Sequence, residues 1–369
     1  MKLCCFFNYP PLYRKSIFLG IDKNFDTQFY FGEEVESGLE SGISKIDFSL
    51  FKRVPVLFKN KRLFGKFLWR TKAALLPLKK YDTFLVSGDL SYSYIPMILL
   101  CKILRKRIYG WGHGEKQIPG KFRFLYDFFY KNLTGYFTYG EGGKKRLVEL
   151  GYDASKINVI YNSLDETFAG NETLKTDIYK KKFNNDDPVI IFIGRTTRVK
   201  KLDWIIDGVS TLNKDGFGCN LIIVGDGICL PELKQQAESA GISSRVWFYG
   251  ECYDEDVNKE LLYNADLCVS PGNVGLTALH SISYGVPVLS HNDFETQMPE
   301  YETIVEGKTG ALYEKGNKKD FINKIVKMIT LSENDRDNIR KNCYEMISEK
   351  WNSQNQLRIF GRVFKSDSN

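Results

Sequence analysis

The chain has 369 residues, of which 43% are hydrophobic and 26% are charged, and this composition is typical of a globular protein. At roughly 100–200 residues per domain, the length predicts two domains. No apolar run approaches the ~20 residues of a membrane-spanning helix. The first residues, Met1–Phe7, lack a small-residue cleavage site after them, so we expect a core strand there rather than a secretory signal.

Charge is distributed unevenly along the chain. Residues 1–165 contain 27 Lys and Arg against 15 Asp and Glu, a net charge of +12, whereas the remainder has 25 against 30, a net charge of −5. Basic residues are densest in residues 45–131, with 19 against 5 acidic ones. This polarity predicts two domains with different partners, the basic one meeting something anionic.

The eight cysteines show no CxxC spacing, and most lie within apolar segments. This pattern favours buried thiols in a reducing compartment over a disulfide framework or a zinc site. We therefore expect a cytoplasmic protein with no metal and no bound cofactor.

The N-terminal half alternates apolar strands with helices. The predicted strands are Lys2–Phe7, Gln28–Phe31, Thr83–Val86, Arg107–Trp111, Gly135–Thr138 and Ile157–Tyr161. The predicted helices are Lys61–Leu76, Ser91–Arg105, Phe122–Leu133 and Glu141–Leu150. The polar stretch Leu164–Asp187 lacks a core pattern and predicts the domain boundary.

From Pro188 onward, short apolar strands alternate with amphipathic helices. The predicted strands are Val189–Ile193, Leu221–Val224, Val246–Tyr249, Leu267–Ser270 and Pro287–Ser290, and the predicted helices are Lys201–Leu212, Leu230–Ala240, Asp254–Asn264 and Leu276–Tyr284, with a helical tail from Lys318. Continuous apolar strands indicate a parallel sheet covered on both faces. The pattern predicts an α/β fold of two doubly wound, Rossmann-like domains facing across a cleft.

We expect four segments: a first Rossmann-like domain over residues 1–165, a linker over 166–187, a second Rossmann-like domain over 188–345, and a C-terminal helix over 346–369 that returns to the first domain. Ligands of such sheets bind at the carboxyl ends of the strands.

The first motif, GRTTRVKK, directly follows the strand VIIFI. Arg195 and Lys200 stand where a diphosphate would lie, since Arg grips phosphate oxygens in a bidentate way and Lys supplies a mobile charge. A solvated basic loop is the alternative interpretation. The second motif, Gly225-Asp226-Gly227 after LIIV, allows a tight turn near a ligand, and it does not fit GxGxxG.

The third motif runs from Ser270 to Val288 and reads SPGNVGLTALHSISYGVPV. Its glycines leave a bare loop that opens onto the N-terminus of a helix, which is a natural anion site. Thr277 lies in the first helical turn, where its hydroxyl could also reach phosphate. His280 lies one turn later, and a buried histidine bonded to a carbonyl is the alternative interpretation for it.

These motifs together resemble family 4 of the retaining glycosyltransferases, which have the GT-B fold. The resemblance is strong from about Val189 to Leu312. It implies that Gly194, Arg195 and Lys200 hold the donor diphosphate, and that Gly275, Leu276 and Thr277 bind phosphate through backbone amides. It also implies that the nucleotide and the donor sugar are lined by a further set of residues: Gly225, Asp226, Gly227, Tyr249, Gly250, Glu251, Gly272, Asn273, Val274 and His280. Asn162–Asp165 resembles the family element that opens the interdomain linker. The resemblance also implies that residues 1–165 form the acceptor-side domain and residues 188–345 the nucleotide-sugar-binding domain.

The sequence departs from the family at two glutamates that are normally eight positions apart. Aligned on Gly285-Val-Pro-Val288, those positions are Gly272 and His280. Either Asn273 and His280 make the polar contacts in a variant subgroup, or catalysis is lost. One acid could come from Glu295, Glu300 or Glu302 downstream.

In the N-terminal half, His113 lies between glycines at the end of a predicted strand. By resemblance, His113 is a catalytic residue that faces the donor sugar, and Glu115 is close enough to orient it. The glycine pair that the family carries after its first strand is replaced here by Asn8–Arg14, so no acceptor residues are assigned.

Two segments interleave basic and aromatic residues, Phe51–Lys72 and Lys121–Lys131. Near anionic lipids each basic residue contributes ~1 kcal/mol, and aromatic residues settle at the interface. We expect a membrane-surface partner and no nucleic acid, although nucleic acid suits the same chemistry. The alternative to a partner-binding surface is an amphipathic helix whose basic face is solvated.

The predicted function is transfer of a hexose from a nucleotide diphosphate-sugar to a hydroxyl acceptor, with retention. A lipid-linked or surface glycan is the expected acceptor, in lipopolysaccharide or capsule assembly at the inner face of the membrane. An inactive nucleotide-sugar or glycan-binding protein and a UDP-sugar epimerase of the same fold are the alternatives.

Overall fold

The computed structural model describes residues 1–32, 44–59, 61–63, 67–69, 71–114, 120, 123–164 and 175–366. The chain divides into two compact units. Unit 1 comprises Met1–Glu166 and Asn352–Asn369, and unit 2 comprises Thr167–Trp351. Within the described residues, no helix has both the length and the apolar character needed to cross a membrane.

Strands and helices alternate through both units. The strands are β1 Lys2–Phe7, β2 Asp26–Gly32, β3 Val56–Phe58, β4 Lys61–Leu63, β5 Phe67–Trp69, β6 Thr83–Ser87, β7 Arg107–Gly112, β8 Gly135–Thr138, β9 Ile157–Val159, β10 Val189–Ile193, β11 Asn220–Val224, β12 Val246–Gly250, β13 Leu267–Val269, β14 Val288–His291 and β15 Gly310–Tyr313. The helices are α1 Lys15–Asn24, α2 Thr71–Ala74, α3 Tyr94–Ile103, α4 Arg123–Asn132, α5 Glu141–Glu149, α6 Ile178–Phe183, α7 Asp203–Lys214, α8 Leu230–Ser239, α9 Glu255–Tyr263, α10 Leu276–Ser283, α11 Lys318–Ile329, α12 Glu333–Glu349 and α13 Ser353–Ser366.

Unit 1 is built on a parallel sheet with the described strand order β3-β2-β1-β6-β7-β8-β9. Along β1, Leu3, Cys5 and Phe7 join a core cluster on one face, and Cys4 and Phe6 join a second cluster on the other. Successive strand residues point to opposite faces, so a fully apolar strand indicates a sheet that is covered twice. Helices α1 and α13 contribute to the first cluster, and α3 and α4 contribute to the second.

Unit 1 differs from the sequence prediction in three places. The predicted helix Lys61–Leu76 is wrong, because β4 pairs antiparallel with β5 and only the short α2 follows them. The sequence itself disfavours a single helix, because Gly65 would cost about 1 kcal/mol in a helix interior. Helix α1 and strand β3 were not predicted.

Unit 2 contains a second parallel sheet with the described order β12-β11-β10-β13-β14-β15. Every residue of β10 and β11 is buried, since helices cover both faces. The strands and helices predicted after Pro188 are present within a few residues of their expected ends, whereas β15 was not predicted.

Part of the segment predicted as a linker is ordered. Helix α6 buries Tyr179 in the core of unit 2, and the Tyr179 hydroxyl donates to the Leu261 carbonyl oxygen at 2.6 Å. A single buried aromatic residue in a polar stretch gives no periodic signal, so the sequence did not predict this helix.

In both sheets the order in which strands are added reverses at the first strand, β1 in unit 1 and β10 in unit 2. In unit 2 the order runs from β10 outward to β12 on one side and from β13 to β15 on the other. The switch in strand order thus lies between β10 and β13, and ligands of such sheets bind at the carboxyl ends of the strands beside such a switch.

Candidate functional site

The candidate site lies at the carboxyl edge of the unit 2 sheet. Gly194 follows β10, Gly225 follows β11, Gly250 ends β12, and residues 270–275 follow β13. The topology thus brings the three predicted motifs to the same edge of the same sheet.

Backbone hydrogen bonds tie the first two loops and the end of β12 together. Gly194 N donates to Val224 O at 2.9 Å, and Gly225 N donates to Gly250 O at 2.7 Å. Gly225 has φ +138°, and a Cβ atom there would lie 2.0 Å from the Gly194 carbonyl oxygen. Only glycine fits this turn, so backbone packing alone requires a glycine at position 225, whether or not a ligand binds there.

The loop after β13 is anchored to the basic loop after β10. Gly272 N donates to Lys200 O at 2.9 Å, Asn273 N donates to Val199 O at 3.3 Å, and Lys200 Nζ donates to Asn273 O at 2.7 Å. A Cβ atom on Gly272 would lie 1.8 Å from the Val199 carbonyl oxygen. No side chain fits at position 272 with this backbone, which gives a physical reason for the absence of a glutamate there.

Helix α10 presents its N-terminus at this edge. Gly275 is the N-cap residue, and the first turn carries no acidic side chain. The Thr277 hydroxyl, which the sequence interpretation directed toward phosphate, donates instead to the Ile193 carbonyl oxygen at 2.8 Å. Its oxygen therefore joins β10 to α10, and the helix amides remain the anion-binding feature.

Gln297 supports the same loop and was missed by sequence reasoning. Its side-chain oxygen accepts from Val274 N at 2.6 Å, and its amide nitrogen donates to Ser290 Oγ at 2.9 Å and to His291 O at 3.0 Å. Gln297 is buried, and its partners lie 6 to 23 residues away, so no local pattern marks it.

Two cations stand beside this loop. Arg195 is exposed and Lys200 is partly buried. Burial and then repulsion from Arg195 lower the pKa of Lys200 to about 8, and attraction to Glu300 partly opposes them. Two cations that repel each other in this way form a site that favours an anion.

Of the three downstream acids, Glu300 is the one that acts on Lys200. It is 2% exposed, and its Oε2 lies 3.9 Å from the position of a Cβ atom on Gly275. Glu295 is exposed and Glu302 is partly buried. A carboxylate therefore stands near the head of α10, although it comes from a different segment than in the family pattern.

His280 is not a buried histidine bonded to a carbonyl. Its Nε2 lies 2.7 Å from Oε1 of Glu255 on α9, and the Tyr284 hydroxyl donates to the same oxygen. Burial raises the pKa of Glu255, but the hydrogen bonds from His280 and Tyr284 outweigh it and leave that pKa below its ordinary value. Glu255 lies 25 residues before His280, so the sequence did not reveal this pair.

The other predicted nucleotide-lining residues occupy the ends of β11 and β12. Asp226 and Glu251 are exposed, and Gly227 N donates to Asp226 Oδ1 at 2.6 Å. The Tyr249 ring is partly buried and lies 5.1 Å from the Trp247 ring. These residues and the partly buried Leu276 share the carboxyl edge with the cations.

His113 lies in unit 1, just after β7, and Glu115 lies outside the described residues. The His113 ring is partly buried and lies 4.8 Å from the Tyr139 ring. The glycine before it serves packing rather than exposure, because a Cβ atom on Gly112 would lie 2.7 Å from the Tyr136 hydroxyl. The predicted catalytic role of His113 stays a prediction.

The interdomain element Asn162–Asp165 is described only in part, and the cysteines are not paired. Asn162 is buried, and Asp165 lies outside the described residues. The eight cysteines are free thiols, seven of them buried. In the part of the chain that the structure describes, no group of three or more His, Cys, Asp or Glu side chains could hold a metal ion.

Comparison with known proteins agrees with this architecture. Residues 175–346 match the family model described as glycosyl transferases group 1. An uncharacterized 41.2 kDa protein in the cps region of Klebsiella pneumoniae is 26% identical over 233 residues, 60% of this chain and 58% of the relative. The O-antigen biosynthesis glycosyltransferase WclY of Escherichia coli is 29% identical over 146 residues, 38% of each chain. The matched stretches thus span between about a third and somewhat over half of these relatives.

Among solved structures, Anabaena HepE in complex with UDP superposes with a TM-score of 0.74 and 16% identity, covering 99% of this chain and 100% of HepE. At this identity the likeness concerns the fold. The chain has the GT-B fold, and its residues 175–346 match the family model of the glycosyl transferases group 1.

Proposed function

We propose that this protein is a glycosyltransferase that moves a sugar from a nucleoside diphosphate sugar to a hydroxyl acceptor. The observation that carries the proposal is the placement of Lys200 beside Arg195 and the loop that leads into α10. Cations and helix amides at the carboxyl edge of a parallel sheet suit a diphosphate.

The chemistry follows from where charge develops. The transition state is expected to be oxocarbenium-like, as in glycoside hydrolysis, and negative charge builds on the leaving diphosphate. Arg195, Lys200 and the α10 amides would stabilise that charge without reorganising. The Lys200 ammonium has three N–H donors, one of which holds the Asn273 carbonyl oxygen, so further donors remain for phosphate oxygens. No metal or other cofactor is needed for this role. The catalytic role of His113 is part of the same proposal.

The nucleotide would lie toward β11, β12 and α9. The resemblance assigns Gly225–Gly227 and Tyr249–Glu251 to this side, and the family places a glutamate on the ribose from the position of His280. Here Glu255 supplies a carboxylate through its hydrogen bond with His280, and Tyr284 holds the same oxygen. We propose that the Glu255–His280 pair replaces that missing glutamate.

We propose that the acceptor is a lipid-linked or surface glycan and that the sugar is transferred with retention of its anomeric configuration. The support for the acceptor is context: one relative lies in a cps region and another is a glycosyltransferase of O-antigen biosynthesis. Retention follows from the resemblance to family 4.

We propose that unit 1 contacts an anionic membrane surface at the inner face of the membrane. The contacting face is formed by α2, α3, α4 and the short helix Leu76–Leu78, which pack on one another. Its exposed apolar side chains are Leu75, Leu78, Leu99, Ile103 and Phe124, and its exposed basic residues include Lys79, Lys80, Lys102 and Arg105. Apolar side chains among lysines suit an anionic lipid interface.

Sedimentation with phosphatidylglycerol vesicles at low salt tests the membrane contact. Ile103→Glu should release the protein from the vesicles, while Phe217→Glu, an exposed position of unit 2, should not. If the wild type stays in the supernatant, the membrane contact is wrong.

A donor screen tests the proposed activity. We expect one of the UDP-, GDP- and dTDP-sugars to raise the melting temperature and to be turned over with a membrane extract as acceptor. Arg195→Ala should remove the thermal shift, whereas Arg198→Ala, an exposed arginine of the same loop, should retain it. Donor binding without transfer would point to an inactive binding protein, and consumption of a UDP-sugar without acceptor would point to an epimerase.

A further inference from the structure

The remaining feature with ligand chemistry lies in unit 1, around Arg14. This residue ends the loop after β1 and immediately precedes α1. Strand β1 is where the unit 1 sheet reverses, with β2 on one side and β6 on the other. Arg14 therefore occupies the part of this sheet where a ligand is expected on topological grounds.

Aromatic side chains hold the Arg14 guanidinium in place. Its Cζ lies 5.1 Å from the centre of the Trp111 ring and 5.2 Å from the centre of the Tyr139 ring, and its Nη2 donates to the Tyr139 hydroxyl. These cation–π contacts and the hydrogen bond from Nη2 to Tyr139 restrict the position of the guanidinium.

Donors in this cluster lack acceptors within the described residues. Arg14 Nε is shielded from solvent and has no hydrogen-bond partner there, and the same holds for Nε1 of Trp111, a residue that is 1% exposed. Buried donors without acceptors are costly, and native proteins rarely keep them without a ligand or a functional reason.

Arg14 also lacks an ion pair among the described residues, although Asp89, which is exposed, attracts it from a greater distance. Burial alone would lower the pKa of Arg14, but Tyr139, Tyr13 and Asp89 raise it above its ordinary value. The guanidinium is thus a fixed cation with spare donors, which is a typical partner for a planar or tetrahedral oxyanion.

The helix that follows adds to this preference. Helix α1 has ten residues and no acidic side chain in its first turn, and Arg14 stands at its N-cap position without capping it by its side chain. The partial positive charge of a helix N-terminus favours an anion.

We propose that Arg14, together with the N-terminus of α1, forms an oxyanion site in unit 1 that receives a phosphate or carboxylate group of the acceptor. That the bound group belongs to the acceptor rests on the proposed glycosyltransferase function, whereas oxyanion binding itself does not. All of its residues belong to unit 1, whereas Arg195 and Lys200 belong to unit 2.

Calorimetry on the full chain tests the site without turnover. The background is the double variant Arg195→Ala/Lys200→Ala, which removes the unit 2 cations, and the probes are inorganic phosphate, methyl phosphate and acetate at millimolar concentrations. We expect one of the phosphates or acetate to bind, and Arg14→Gln to weaken that binding by about tenfold or more. Arg362→Gln, an exposed arginine of α13, is the matched control and should bind as the background does. Binding of methyl phosphate but not acetate identifies a phosphorylated acceptor, and the reverse identifies an acidic sugar.

A second variant guards against misfolding of Arg14→Gln. Tyr139→Phe keeps the cation and removes only its hydrogen bond, and we expect a loss of several-fold in affinity with an unchanged melting temperature. The proposal is overturned if no probe binds the background variant, or if Arg14→Gln and Tyr139→Phe bind the probes as the background does. If the wild type turns over no nucleotide-sugar donor but the Arg195→Ala/Lys200→Ala variant still binds phosphate, the proposed function is wrong and the oxyanion site remains supported.

Discussion

The two units share one sheet topology but differ at the edge where ligands bind. In unit 2, glycine loops after β10, β11 and β13 are joined by backbone hydrogen bonds, with Lys200 at their centre. In unit 1, the corresponding edge is aromatic, and Arg14 lies against Trp111 and Tyr139. The topology decides where a ligand binds, and the loop residues decide which chemical group it must present.

The largest expected effect follows from removing the central cation of unit 2. Lys200→Ala should lower kcat/KM for sugar transfer by about 10²–10³-fold, since a donor that stabilises transition-state charge is lost. Steady-state kinetics with the donor found by screening measures it, and Lys234→Ala, on the exposed side of α8, is the control. A wild-type rate in Lys200→Ala would contradict the assignment of diphosphate stabilisation to the unit 2 edge.

Gly272 tests whether backbone packing shapes the unit 2 edge. Gly272→Ala places a Cβ atom 1.8 Å from the Val199 carbonyl oxygen, so we expect a loss of about 2–3 kcal/mol in the free energy of unfolding. Gly272→Glu, which restores the residue type of the family, should be destabilised as well. Urea unfolding measures both, with Gly361→Ala in α13 as control, since a Cβ atom there meets nothing and the change should stabilise the helix by up to about 1 kcal/mol. An unchanged midpoint for Gly272→Ala would contradict the close approach.

The pKa of Lys200 predicts a pH dependence that belongs to unit 2. Because that pKa is about 8, donor affinity should fall as pH rises from 7 to 9, approaching tenfold per pH unit above the pKa. Folding responds in the opposite direction, since the unfolded lysine keeps its proton up to about 10.5, and the Lys200 contribution to stability rises between pH 8 and 10.5. Titration of UDP into wild type and Lys200→Met at several pH values measures the binding effect. The same slope in both proteins would assign the dependence to another group.

The smallest expected effect concerns the Glu255–His280 pair. Glu255→Gln keeps the shape and removes the charge that His280 and Tyr284 contact, so nucleotide affinity should fall by about fivefold, which corresponds to the ~1 kcal/mol of one ordinary hydrogen bond. Glu260→Gln, elsewhere on α9, is the matched control. Equal UDP affinity in Glu255→Gln would place the nucleotide away from this pair.

Prediction from sequence succeeded best where structure repeats locally. In unit 2 each buried strand is a continuous apolar run, and each glycine loop follows its strand directly, so the elements and three of the site loops were recognisable. In unit 1 the interval between Phe51 and Leu76 defeated the same reasoning, because basic and aromatic residues alternate there without a clear helical or strand period.

The sequence by itself determined the parallel sheets, the glycine turns and the two cations after β10, because local periodicity and backbone requirements leave marks in neighbouring residues. Only the tertiary structure decided that no side chain fits at position 272, that Gln297 holds the loop, that His280 pairs with Glu255, and that Arg14 lies beside the rings of Trp111 and Tyr139. These contacts join residues that are far apart in the chain. Their energies depend on which surfaces meet in the folded state, and no short stretch of sequence records that.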